Sequence, residues 1–119
     1  STWEAILFAA QNRLDNLVAI VDYNRIQALG RSEDVLNLEP LDRKLRDFGW
    51  ASAVCDGHDF GSLAEAFGTL PLQKGRPSFI ICRTVKGKGV SFMEDTVACH
   101  YGSVNDAQLA QALGEIGEA

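Results

Sequence analysis

The chain has 119 residues, 46% of them hydrophobic and 23% charged, which suits one folded domain with a real core and excludes a disordered or fibrous class. Lys and Arg number 11 against 16 Asp and Glu, a formal net charge of −5, so nothing global favours nucleic acid and any anion must be held locally. The longest apolar runs, Leu17 to Val21 and Ser78 to Cys82, are strand-length, and no basic region precedes an apolar stretch at the N-terminus; no membrane span is expected, and the expected location is cytoplasmic.

Ser1 or Thr2 is expected to cap a first helix running to about Leu14, with Trp3, Ile6, Leu7, Ala10 and Leu14 at helical spacing and Glu4 early, where the helix dipole favours an anion. A helix so ready to pack suggests a piece of a longer chain. Asp15-Asn16 breaks it, and Leu17 to Val21 reads as a strand buried on both faces. Tyr23 to Leu38 has no clean period and reads as a long loop of the kind that carries function. Pro40 opens a second helix with Leu41, Leu45 and Phe48 on one face, ended by Gly49. A second strand, Trp50 to Cys55, leads into the turn Asp56-Gly57-His58-Asp59, whose last residue can cap a third helix with Phe60, Leu63, Ala64 and Phe67 inward, ending near Leu70-Pro71. Gln73 to Pro77 is a polar turn, "SFIICRTV" a third strand, and Lys86-Gly87-Lys88-Gly89 starts another irregular stretch. Asn105 or Ser103 caps a last helix, Asp106 to Ile116, carrying Leu109, Ala112, Leu113 and Ile116.

Strands alternating with helices predict an α/β fold, a parallel sheet with right-handed crossovers and helices on both faces. Ligands of such sheets sit beyond the carboxyl ends of the strands, so the loops starting at Asp22, Asp56 and Lys86 are expected on one rim. The cysteines Cys55, Cys82 and Cys99 are isolated, odd in number and without metal-type spacing; each reads as a small hydrophobe in a reducing compartment.

On that rim, Asn24 offers an amide oxygen and Asp22 a carboxylate, hard donors of the kind magnesium or calcium accepts; Asp-x-Asn at a strand end is more often a turn former than a metal ligand. Lys86-Gly-Lys-Gly89 reads as either a phosphate cradle or a solvated turn, and matches neither the Walker nor the dinucleotide pattern. His58 reads as a turn residue, whereas His100 in "ACHYGS" is open to acid–base or diphosphate-binding work. No serine or cysteine sits in a nucleophile motif, and paired-carboxylate hydrolysis has no carrier.

In this order, "WEAILFAAQNRLDNLVAIVDYNRIQALG", "FGWASAVCDGHD" and "RPSFIICRTVKGKGVSFMED" resemble the thiamine-diphosphate-binding domain of transketolases, closest to the N-terminal subunit of split, two-gene enzymes. The resemblance implies that residues 1–119 are the C-terminal part of such a domain, with the motif's Gly-Asp-Gly start lying before Ser1. It implies thiamine diphosphate and Mg²⁺ or Ca²⁺ as cofactors, Asn24 as a metal ligand through its side chain and Ile26 through its backbone carbonyl, and His100 near the diphosphate and substrate. Glu4 resembles a glutamate at the subunit interface, in the acidic network linking paired cofactors; His100 and Glu4 are thus the expected catalytic residues. The implied chemistry is two-carbon ketol transfer between sugar phosphates, with the cofactor as electron sink. The implied partner is a pyrimidine-binding or C-terminal transketolase subunit or domain, in a homodimer or heterotetramer, and the chain alone is expected to be inactive. Rival readings are a deoxyxylulose-phosphate-synthase-like or other thiamine-diphosphate enzyme subunit, and a non-catalytic α/β binding module.

Overall fold

The computed structural model describes residues 1–117. In chain order these form α1 (Thr2–Gln11), β1 (Val18–Tyr23), β2 (Ile26–Gln27), β3 (Gly30–Arg31), α2 (Ser32–Val35), α3 (Leu41–Asp47), β4 (Ala51–Asp56), α4 (Phe60–Gly68), β5 (Ser78–Arg83), a 3₁₀ turn at Ala98–His100, and α5 (Asp106–Gly117). They divide into two compact units, one made of Ser1–Tyr23 with Glu39–Thr84, the other of Asn24–Leu38 with residues 85–117.

The first unit is built on a three-stranded sheet of order β1-β5-β4, with both pairings parallel. Ser78 stands in register with Val18 on one side and Ala51 on the other, and Arg83 with Tyr23 and Asp56, so all three carboxyl ends share one edge. The strand buried most thoroughly is the central one, β5, where Ser78, Ile80, Ile81 and Cys82 are buried. The expectation that the first strand is buried on both faces is corrected. Among the described residues β1 is paired with β5 alone, and Ile20 is 56% exposed.

Helix α3 lies where its caps dictate: Pro40 precedes it, Leu41 and Leu45 are buried, and Gly49 follows with φ +92°. A side chain at Gly49 would be strained by that φ and would set its Cβ 3.2 Å from the Cβ of Ala10. α1 buries Ile6 and Ala9, and the Ile6 carbonyl accepts a 2.8 Å bond from the Trp50 indole N–H. Ser1 occupies the N-cap position, though its side chain makes no capping bond.

The expected face of α4 is corrected in part: Leu63 packs inward as expected, but Phe60 and Phe67 do not. Asp59 caps it as predicted, its carboxylate accepting from the Gly61 and Ser62 amides at 3.2 and 2.9 Å. The Ser62 hydroxyl accepts from the Asp56 amide at the end of β4, which orients the helix. Leu63, Ala66 and Leu70 therefore pack on the Cys55, Ile80 and Cys82 cluster, while Phe60 and Phe67 face outward. Two apolar stripes compete on this helix, and the polar contact at Ser62 selects between them.

The second unit replaces the expected structureless loop over Tyr23 to Leu38. Tyr23 is the buried last residue of β1, and past it Ile26 pairs with Arg31 and Gln27 with Gly30 in a minimal antiparallel hairpin, followed by the single turn of α2. Elements this short leave no periodicity to read. α5 starts at a reciprocal capping box: the Asn105 side chain accepts from the Gln108 amide at 2.9 Å, and the Gln108 side chain accepts from the Asn105 amide at 3.0 Å. Among the described residues no helix is long and apolar enough to cross a membrane.

Candidate cofactor and metal site

At the end of β1 the chain passes directly into Asn24. Its side-chain oxygen accepts a 2.9 Å bond from the Ile26 amide, an Asx turn that places Arg25 at φ +63° and delivers the buried Ile26 into β2. The turn reading of Asp-x-Asn is the one seen here, and it leaves an acceptor site open on Asn24, because an amide oxygen has two lone pairs and the turn uses one. The fixed side-chain oxygen of Asn24 and the backbone carbonyl of Ile26 are neutral hard donors. They fit a magnesium or calcium ion whose charge is balanced by phosphate oxygens. Asp22 is otherwise engaged, its carboxylate accepting the Thr84 hydroxyl. Among the described residues no three His, Cys, Asp or Glu side chains cluster as a self-sufficient metal site.

The same unit contains the Lys86-Gly87-Lys88-Gly89 turn. Gly87 has φ +70°, and a Cβ there would lie 2.6 Å from the Met93 carbonyl oxygen, so glycine is required. As a phosphate cradle the turn is largely self-satisfied. The Lys88 amide donates to the Val85 carbonyl at 3.2 Å, the Val90 amide to the Gly87 carbonyl at 3.1 Å, and Glu94 takes both the Lys88 ammonium at 3.3 Å and the Gly89 amide at 3.4 Å.

A contact with no local sequence signal fastens this unit. The Arg31 guanidinium grips the Asp95 carboxylate through two bonds of 2.7 and 2.8 Å, across 64 residues. Arg31 stands opposite Ile26 in the hairpin, and the Asp95 amide donates to the Lys86 carbonyl at 2.8 Å. The clamp therefore joins the hairpin bearing Ile26 to the segment closing the Lys86 turn. The Arg31 guanidinium holds the Asp95 carboxyl below the usual carboxylate range, and Asp95 in turn raises Arg31. Farther along, the Ser91 amide and hydroxyl donate to Glu115 at 2.6 and 2.7 Å; Gln111 first and Ser91 second lower that carboxyl.

His100 is exposed in the 3₁₀ turn, its ring edge-on to Tyr101 with centroids 4.9 Å apart. Glu4, in the sheet unit, is exposed on the first turn of α1, its carboxylate 3.3 Å from the Ser1 nitrogen. His58 serves its turn as expected, its amide donating to the Asp56 carboxylate at 2.9 Å. Of the residues singled out from the sequence, Asn24 and Ile26 are brought into direct contact. Counting along the chain missed two features: the Arg31–Asp95 clamp, and the side-by-side placement of Cys55 and Cys82, which needs the β4–β5 register.

A protein-family model described as "Transketolase, thiamine diphosphate binding domain" matches residues 1–118. A 6-deoxy-6-sulfo-D-fructose transketolase subunit from Clostridium sp. (strain MSTE9) is 39% identical over 114 residues, covering 96% of this chain and 42% of the relative. An apulose-4-phosphate transketolase subunit from Phocaeicola vulgatus is 36% identical over 118 residues, covering 99% of this chain and 42% of the relative. The chain thus spans about two fifths of the length of these curated relatives. Among solved structures, transketolase from Campylobacter jejuni superposes with a TM-score of 0.87 over 97% of this chain and 18% of that one; at 24% identity the likeness speaks for the fold alone. With its parallel α/β sheet and a family match running from residue 1 to 118, this chain belongs to the transketolase family, within its thiamine-diphosphate-binding domain.

Proposed function

We propose that this chain is the diphosphate- and metal-anchoring part of a two-subunit transketolase-like enzyme that moves a two-carbon ketol unit between sugar phosphates. The observation that carries the reading is the Asx turn of Asn24 on Ile26, within a chain whose family match is nearly complete. Asn24 and Ile26 would hold a magnesium or calcium ion through two neutral oxygens, leaving its other positions to diphosphate oxygens, water and further protein groups. Thiamine diphosphate, when bound, supplies the electron sink for breaking and making the ketol carbon–carbon bond. His100, exposed and able to donate or accept, would hydrogen-bond the diphosphate or the substrate. Glu4 would serve across the contact with a second copy or with the pyrimidine-binding partner, in a homodimer or heterotetramer. Relatives described as subunits support a separate partner chain.

The test uses the full-length subunit together with its partner. Asn24→Ala is expected to weaken magnesium-dependent thiamine diphosphate binding by about 10- to 100-fold in calorimetry, the range seen when a metal site loses an orienting group. Asp22→Asn is expected to leave it unchanged. Equal affinity in wild type and Asn24→Ala would remove the assignment. Turnover of xylulose 5-phosphate with ribose 5-phosphate supports ketol transfer. Turnover only of pyruvate with glyceraldehyde phosphate would move the chain to the deoxyxylulose-phosphate-synthase-like reading, and no cofactor binding at all would leave a binding module.

A further inference from the structure

Cys55 of β4 and Cys82 of β5 are direct register partners on neighbouring parallel strands, so their side chains leave the same face of the sheet. Both are free thiols, each about 7% exposed, and the Cys55 sulfur donates to that of Cys82 at 3.6 Å. We propose that this pair is a peroxide-sensitive dithiol that closes reversibly into a disulfide between β4 and β5.

The two thiols are not equivalent. Cys55 lines a groove of about 240 Å³ between β4 and α4, together with Val54, Ser62, Glu65 and Thr69; Cys82 is not part of that lining. A water occupies about 30 Å³, so a hydroperoxide of similar size can enter beside Cys55. Cys82 lies off that groove and in register with Asp22 on its other side. Burial first, then Cys55 and the Asp22 charge, push its thiol up to about 11. Cys55 is therefore the attacking residue and Cys82 the resolving one. In the first step the Cys55 sulfur attacks the distal peroxide oxygen, an S–O bond forms as the O–O bond breaks, and the departing alkoxide or hydroxide takes the Cys55 proton. In the second, the Cys82 sulfur attacks that of Cys55, the S–S bond forms, and the displaced hydroxide leaves as water with the Cys82 proton. The thiols together lose two electrons and one peroxide is reduced to alcohol, or water, and water.

The sulfurs are 3.6 Å apart, and neighbouring strands at ~4.8 Å fall within the ~4.4–6.8 Å that separates the Cα atoms of bridged cysteines, so the two residues can be joined from where they stand.

Full-length protein is exposed to hydrogen peroxide, unfolded in N-ethylmaleimide, digested and mapped by mass spectrometry. The expected product is a Cys55–Cys82 linked peptide pair, two hydrogens lighter than its parts, which disappears on treatment with dithiothreitol. The Cys82→Ala variant is expected to stop at a dimedone-reactive Cys55 sulfenic acid; should it fail to fold, the wild-type linkage map decides alone. Recovery of both residues as alkylated thiols overturns the proposal. So does Cys55 sulfinic acid beside unmodified Cys82, or linkage of either residue only to another thiol.

Discussion

In the unit built on the parallel sheet, the side chains that lose their water are apolar apart from Ser78: Leu45 and Ile80 are at 0% exposure, with Ile6, Leu41, Trp50 and Ile81 close behind. In the unit that carries Asn24, Ile26 and His100, the buried hydrophobic residues among those described are Ile26 and Val90. That unit is fastened instead by polar side chains at half-exposed positions: Arg31 on Asp95, Lys88 on Glu94, Arg25 on Glu33 and Ser91 on Glu115. Apolar burial is non-directional and is not screened by ions, whereas charge-assisted bonds fix geometry but respond to pH and ionic strength. The contrast teaches that the residues proposed to meet the cofactor sit on the less protected kind of scaffold. Local opening of such a region needs little free energy, as befits loops that must admit a ligand.

The contrast can be sharpened by damaging the sheet unit first. Ile80→Ala removes a fully buried side chain from the central strand and is expected to cost about 3 kcal/mol, within the range for large-to-small core changes, as measured by urea unfolding of the full-length protein. A loss below ~1 kcal/mol would mean that β5 is not the anchor of this unit. Next in size, Asp59→Ala strips the two capping bonds from the start of α4 and is expected to cost about 1 kcal/mol. Asp59→Asn should restore most of that, since an amide oxygen can still accept at an N-cap. If Asn and Ala were equally damaging, the acceptor bonds would not be the stabilising feature.

How much of this was legible in the sequence differs between the units for the same reason. Helices such as α3, with Leu41 and Leu45 one turn apart between Pro40 and Gly49, and strands such as β5 announce themselves through period and punctuation. The Asp59 cap, and Asn105 as one of two candidates for the last cap, were readable because a cap is a local relation, closed within four residues. The orientation of α4 was legible only in part: Leu63 was read as inward, but Phe60, Ala64 and Phe67 satisfy helical spacing with it as well as Ala66 and Leu70 do. What decides is the Ser62 hydroxyl on the Asp56 amide, a single hydrogen bond. The exposure of Ile20 on β1 was hidden because an apolar run does not say what covers each of its faces. In the second unit, Asn24 and Ile26 were picked out by resemblance, and their Asx turn is local. Arg31 and Asp95, however, meet across 64 residues, and neither position has a pattern that points to the other.

The smallest expected effects bear most directly on the second unit, and they have a sign. Asp95 and Glu115 are both held below the usual carboxylate range, Asp95 first by the hydrogen bond from Arg31 and Glu115 first by the one from Gln111. A carboxyl depressed on folding contributes stability that is fully present above its unfolded value, about 4, and is lost as the pH falls through the lower folded value. Acid should therefore loosen the hairpin Ile26–Arg31 and the Ser91–Glu115 contact before it affects β4 and β5, whose contacts are apolar and backbone in kind. Hydrogen exchange of the full-length protein, corrected for intrinsic rates and followed from about pH 6 to about pH 3, should show hairpin protection declining below about pH 4 while the central strand remains protected. Asp95→Asn should bring that lower hairpin protection to neutral pH, because the amide keeps the shape but not the charge that Arg31 grips in two places. Added salt should weaken the wild-type hairpin toward the Asp95→Asn level and have little effect on the variant, since the ion pair is exposed enough to be screened. If both units lost protection at one pH, or if salt acted equally on wild type and variant, the hairpin would be held by its buried Ile26 rather than by the Arg31 clamp.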